Sequence, residues 1–271
     1  MTAEQRTWAI FTKPWRTTPI KELAELVARL GFNAVEFPLR PGFQVDTEKL
    51  PGSFGELART FADSGVGIAS VAGSPTKAVF EACAEHGVPL IRIMVPVAAE
   101  GYVPTGDIIR RQLDVLIPTA EQYGVRIGIQ PHFDQYIADS SELAHLLSGY
   151  DPKSVAAIWD AAHDGLARKS PDNALALLWG RLAMVNFKNA CYREVPASGG
   201  GPTRWEVTFV EGGRGLSSWS VAAAYLRAHH YNGPICFPAE YTDETDLERK
   251  AGHDLQYLQA LLQPGSGGQS R

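Results

Sequence analysis

At 271 residues, with 45% hydrophobic and 20% charged side chains, the chain has the make-up of an ordinary globular protein with room for one large core. A net charge of −5 and the lack of any Lys/Arg run exclude an electrostatic grip on nucleic acid or on an anionic membrane. Cys83, Cys191 and Cys236 are too widely spaced for a disulfide framework or a zinc knuckle, and no apolar stretch has signal-peptide or membrane-span length, so the expected setting is a reducing cytoplasm.

Short apolar strands then alternate with amphipathic helices along the chain. TWAIFTK (7–13) reads as the first strand and PIKELAELVARLG as the helix after it. NAVEFPLR (33–40) and VGIASVAG (66–73) are the next strands, followed by the helical TKAVFEACAEHG and the strand PLIRIMVP (89–96). IIRRQLDVLIPTAEQYG is a long helix leading to VRIGIQPH (125–132). SVAAIWDA (154–161) and LAMVNFKNA (182–190) follow, and the helix SWSVAAAYLRAHHY precedes PICFPAEYT (234–242). Gly31, Gly65, Gly87 and Gly124 stand where helices should stop.

Parallel strands need crossovers, so eight β–α units in a row specify a parallel sheet covered by helices. That number favours closure into an α/β (β/α)8 TIM barrel, a single domain over residues 1–262 with a flexible tail at 263–271. No G-x-G-x-x-G follows the first strand, which removes the main reason to prefer an open dinucleotide-binding sheet. Residues 191–215 form a long Gly-rich excursion, a length that marks a loop as functional or disordered.

Side chains alternate across a strand, so each residue can be assigned to the barrel interior or to the helix layer. Met184, Asn186 and Lys188 face inward on the seventh strand, with Val185 and Phe187 outward; Cys236, Pro238 and Glu240 face inward on the eighth. Gln130 and His132 share the inner face of the fifth. Gln130, Asp160, Asn186 and Glu240 thus bring oxygens to the C-terminal mouth, where barrel enzymes keep their sites. Such a set suits a hard cation, Mn²⁺ or Mg²⁺, or a polyol, and equally four groups that hydrogen-bond one another. Two of the four are amides, where a strong metal site would carry charge.

His163, three residues after Asp160, is placed to shuttle a proton, bind a polyol or add a ligand; His132 is similar. Lys188 can steady a developing enolate oxygen or pair with Asp160 or Glu240. Glu36 and Arg92, both interior, are expected to form a buried ion pair. Lys13, Trp15 and Arg40, at the ends of the first two strands, are candidates to line the substrate mouth. Gly212, Gly213 and Gly215 with Arg214 offer a weak signal for a phosphate cradle.

With D-x-x-H at Asp160–His163, Glu240 in PAEY and the run EGGRGLSSW, the chain resembles the xylose isomerase-like TIM-barrel superfamily of sugar phosphate isomerases and epimerases over nearly its whole length. The resemblance implies a divalent ion held by a Glu on the fifth strand, the Asp of D-x-x-H, a His on the seventh strand and a Glu on the eighth. Gln130 and Asn186 depart from that set, and Gln130 has no titratable proton to serve as a second base. The implied chemistry is therefore a sugar isomerase or epimerase in which Glu240 abstracts a proton α to a carbonyl. A cation or Lys188 would hold the enediolate, and His163 or His132 would relay the proton. The alternatives are a lyase on an oxidised sugar and a non-catalytic sugar-binding barrel with a degenerate metal site. The expected partner is a small sugar, and homo-oligomer formation is left open.

Overall fold

Closure of the sheet is visible at its first strand. In the computed structural model, β1 (Trp8–Phe11) pairs in parallel with β2 (Ala34–Pro38) on one side and with β10 (Ile235–Phe237), the last strand, on the other. Between them run β3 (Gly67–Ala72), β4 (Leu90–Ile93), β5 (Arg126–Ile129), β6 (Val155–Asp160) and β7 (Leu182–Asn186), giving a closed eight-stranded parallel barrel. The residues described are 6–196 and 201–263, so all of the expected tail beyond Gln263 lies outside them. Within them, no helix is long and apolar enough to cross a membrane.

The helices α1 (Ile20–Arg29), α2 (Phe54–Asp63), α3 (Lys77–Glu85), α4 (Tyr102–Tyr123), α5 (Ser140–Leu146), α6 (Ala161–Leu166), α7 (Pro171–Leu178), α8 (Trp219–Ala228) and α9 (Leu247–Leu262) lie between and after the strands. Their faces follow from spacing. In α1, Leu23, Ala24, Leu26 and Val27 are buried while its charged residues lie opposite. Thr76 caps α3 by accepting from the Val79 N–H, and Gly124 ends α4 in the left-handed region at φ 64°.

Alternation along the strands separates two apolar layers. Ile10, Val35, Ile127, Trp159, Val185 and Phe237 belong to the large core under the helices. Ala9, Phe11, Leu90, Ile158, Met184 and Cys236 fill the barrel itself. A Cβ on Gly128 would lie 2.8 Å from Ile158 Cδ1 and 2.9 Å from Leu90 Cδ1, so glycine at this position lets those side chains meet on the barrel axis.

The stretch expected as a Gly-rich loop is largely a ribbon. β8 (Asn189–Val195) and β9 (Arg204–Val210) pair antiparallel from Asn189 with Val210 to Val195 with Arg204. Its β-branched and aromatic residues dictate extended pairing, and the glycines flank the strands. Residues 197–200 of its connection lie outside the described residues.

Candidate active site

A belt of polar side chains crosses the barrel interior near its C-terminal end. Ser70 Oγ donates to Glu36 Oε1 at 3.0 Å, and Arg92 Nε donates to the same oxygen at 2.7 Å, which is the expected Glu36–Arg92 pair. Arg92 Nη1 donates to Gln130 Oε1 at 2.6 Å, and Gln130 Nε2 donates to Asp160 Oδ2 at 2.7 Å. Asn186 Nδ2 approaches that oxygen at 3.5 Å. All six residues are buried. Charges taken this far from water persist because each meets a partner.

Asp160 ends β6 and caps α6, its Oδ1 accepting from the Ala162 and His163 N–H groups at 3.0 and 3.2 Å. The D-x-x-H spacing is thus an N-cap spacing, and it turns His163 into the same buried layer. Burial raises the Asp160 carboxyl, opposed by Lys188 and by those backbone bonds.

Above the belt, Glu240 lies between two ammonium groups. Lys13 contacts its Oε1, and Lys188 Nζ donates to Oε2 at 3.2 Å. Lys188 is buried and sits 4.3 Å from the centre of the Phe209 ring on β9. Burial acts to raise the Glu240 carboxyl, but Lys188 and Lys13 outweigh it and hold it down at about 2. The chain reaches Glu240 through Ala239 at φ 53°, a left-handed conformation that a residue with a Cβ seldom adopts.

His132 and His163 meet at 4.4 Å between ring centres with their planes tilted by 41°, with Tyr136 4.7 Å from His132 and Phe133 stacked 5.7 Å from His163. The Phe133 N–H donates to His163 Nδ1 at 3.3 Å, so the neutral ring carries its proton on Nε2, 3.9 Å from Asp160 Oδ2. Burial, then Lys188, drives the His163 pKa well below its ordinary value. His132 is lowered too, chiefly by burial.

The His163 shift has a measurable sign. Below about pH 6.5 the unfolded chain protonates this His and the folded chain does not, so stability falls with falling pH. His163→Phe should remove that component, gaining on wild type by up to ~1.4 kcal/mol per pH unit between about pH 6 and 5. Parallel stability curves for the two proteins would mean that His163 takes its proton normally.

Lys13, Arg16, His132, Lys188, Phe209 and Glu240 line a cavity of about 450 Å³ at the mouth. Trp15 lies instead against the hydrophobic core, and Arg40 lines a separate cavity, its Nε donating to the Ala72 carbonyl at 3.1 Å. Phe209, Phe133 and Tyr136 had no place in the sequence-based site. The signal for Phe209 was the strand-like alternation RWEVTFV within the excursion. Gly212 and Gly215 serve packing: a Cβ on Gly215 would lie 2.1 Å from Asn189 Oδ1, one on Gly212 would lie 2.4 Å from the Trp219 ring, and the Gly212 N–H is taken by Asp254.

Comparison with known proteins adds the family. The sequence profile of the xylose isomerase-like TIM barrel family matches residues 24–261. The chain belongs to this family. Among curated proteins, none matches it. Solved structures similar to this xylose isomerase-like barrel include D-psicose 3-epimerase with D-tagatose from Clostridium cellulolyticum H10, at 17% identity and TM-score 0.72, covering 95% of this chain and 100% of that one. A xylose isomerase-like TIM barrel protein from Mycobacterium smegmatis in complex with magnesium is 15% identical, with TM-score 0.68 and coverage of 95% and 97%. A fusion of a xylose isomerase-like barrel with 4-hydroxyphenylpyruvate dioxygenase is 18% identical, with TM-score 0.72; it is matched over 96% of this chain, which spans 43% of the fusion.

The donor set of this xylose isomerase-like barrel does not fit a divalent ion as arranged. The Gln130 carbonyl oxygen accepts from Arg92, both Asp160 oxygens accept from N–H groups, and Glu240 is held by two lysines. Among the described residues no group of three or more His, Cys, Asp or Glu is placed to hold a metal. The fixed charges of Lys13, Lys188 and Arg92 would repel a cation arriving among these donors. Asn186 Oδ1, His163 Nε2 and Glu36 Oε2 are the buried polar atoms of this site without a partner among the described residues.

Proposed function

We propose that the chain is a sugar isomerase/epimerase-type enzyme that abstracts a proton α to the carbonyl of a sugar or sugar-derived compound. The observation that carries this reading is the Lys188–Glu240 pair on the mouth cavity, with a base and an electrophile presented to one volume. Glu240 takes the proton. Lys188 Nζ donates to the carbonyl oxygen as it gains negative charge, at a site where Lys188 itself is largely removed from water. In the resting state the two lysines hold Glu240 too acidic to be an effective base. A substrate oxygen that draws Lys188 or Lys13 toward itself loosens that hold, and the proton affinity of the carboxylate rises. The His132 ring on this volume and the Nε2–H of His163 next to it serve the return of the proton. No step is routed through a divalent Mn²⁺ or Mg²⁺ ion, since three of its four expected donors, Gln130, Asp160 and Glu240, are already paired with protein groups.

The test is incubation with a panel of aldoses, ketoses and oxidised sugars in D2O, read by NMR for carbon-bound deuterium. Incorporation into any of them supports proton abstraction. Sugar binding with no incorporation hands the site to the rival reading, a sugar-binding barrel without turnover, which the low proton affinity of Glu240 favours. Lys188→Met should slow exchange about 100-fold. It should also move the acidic limb of the pH–rate profile upward, because Glu240 loses a cation that depresses it. An unmoved limb removes Lys188 from this role.

A further inference from the structure

A second cavity, at about 520 Å³ larger than the mouth, lies between the ends of β3 and β4 and the long helix α4. Most of its wall is apolar: Ile93, Met94, Val97, Ile108, Ile109 and Leu116 face it, each only half-buried. Two arginines, Arg40 and Arg92, supply its charge, and no Asp or Glu lines it. Arg92 is committed to Glu36 and Gln130. Arg40 is half-buried and uses Nε on the Ala72 carbonyl, while its two terminal nitrogens have no partner among the described residues. Arg92 also ties the wall of this cavity, through Gln130, to Asp160 in the polar belt. Apolar walls left partly exposed beside an uncommitted guanidinium fit one kind of occupant, an anion joined to an apolar body.

We infer that this cavity binds the apolar arm of an amphipathic anion, with Arg40 as the clamp on its charged group. Given the proposed chemistry at Glu240, on which this part rests, the ligand is the substrate. Its reacting end occupies the mouth, its acid group meets Arg40 on the wall of the neighbouring cavity, and an aryl or alkyl arm fills the space under α4. A free hexose would leave that space unused.

The experiment is calorimetric titration of the full chain with a series of ω-phenylalkanoates of increasing length and with the matching alcohols. Affinity for the acids should climb roughly fourfold per added methylene until the cavity is full. Arg40→Gln should weaken the acids about tenfold or more and leave the alcohols unchanged. Ile109→Trp, which fills the cavity, should abolish binding of both series. Leu116→Trp on the same wall replaces it if Ile109→Trp lowers the melting temperature. Alcohols that bind as tightly as acids, binding that survives the filled cavity, or no binding at millimolar probe would each overturn the inference. So would self-association that Ile109→Trp abolishes, since it would give the cavity to a second copy of the chain. The titration needs no turnover, so its failure leaves the Glu240 chemistry standing. If binding succeeds but no sugar or arylated sugar acid exchanges deuterium, the proposed chemistry fails and the cavity stands.

Discussion

Glu240→Gln should leave the barrel folded and suppress deuterium exchange by at least ~10²-fold, the range typical of a lost general base. Gln keeps the shape and the hydrogen-bonding oxygen of Glu but cannot take a proton at neutral pH. The substitution is tolerable structurally because Glu240 is a quarter exposed and Lys13 about half exposed, so Lys13 can turn to water. Lys188 is the exception, with a side chain only 5% exposed. It keeps the field of Asp160 and the face of Phe209, so the melting temperature should fall by only a few degrees, as for a cost of ~1 kcal/mol in a domain of this size. Thermal denaturation and exchange measured on one preparation separate the two effects. Retention of most of the exchange would remove Glu240 as the base.

Glu36→Gln should be the most destabilising single change in the barrel, at ~3–5 kcal/mol, because it strands the buried guanidinium of Arg92. Glu36 is fully buried and Arg92 nearly so, and the ion pair between them is the link to which Ser70 and Gln130 also attach. Burial alone would lower the Arg92 pKa; Glu36 reverses this and raises it. Urea denaturation should show a lower midpoint at an unchanged slope. Replacing both ends, as in Glu36→Leu with Arg92→Met, should cost less than Glu36→Gln alone, because no unpaired charge stays inside. Unchanged stability together with lost exchange would move Glu36 from scaffold to chemistry.

The barrel was legible because period-two apolar runs alternated with helical runs eight times, and the same alternation separated Met184 and Cys236 from Val185 and Phe237. Inward-facing polar residues could be named from spacing. Their partners were harder, because pairing depends on the stagger between strands, which no local pattern encodes. Lys13 and Glu240 are 227 residues apart and meet only because β1 pairs with β10. Of the four residues read as a ligand set, Gln130, Asp160 and Glu240 therefore have their oxygens met, in the folded chain, by Arg92, by side-chain and backbone N–H groups and by lysines, and only Asn186 Oδ1 is left without a partner among the described residues. That Trp15, expected at the rim, is partly buried and packs against the core was hidden for a related reason: nothing in its sequence neighbours reveals that contact. The ribbon was obscured by glycines at its ends, which drew attention from the alternating β9 sequence between them.

The β8–β9 ribbon sets Phe209 against Lys188 and His163 without being part of the ring of strands. It is fastened at its base by local bonds, Phe209 with Thr242 and Tyr192 with Leu166, and by Asn189 to Gly212 and Ser217. Its register is a private matter between its own two strands, whereas moving any barrel strand by one residue would turn inward side chains outward. Evolution, or an engineer, can therefore exchange this ribbon for another, altering what reaches His163 and Lys188, while the hoop of strands keeps its spacing.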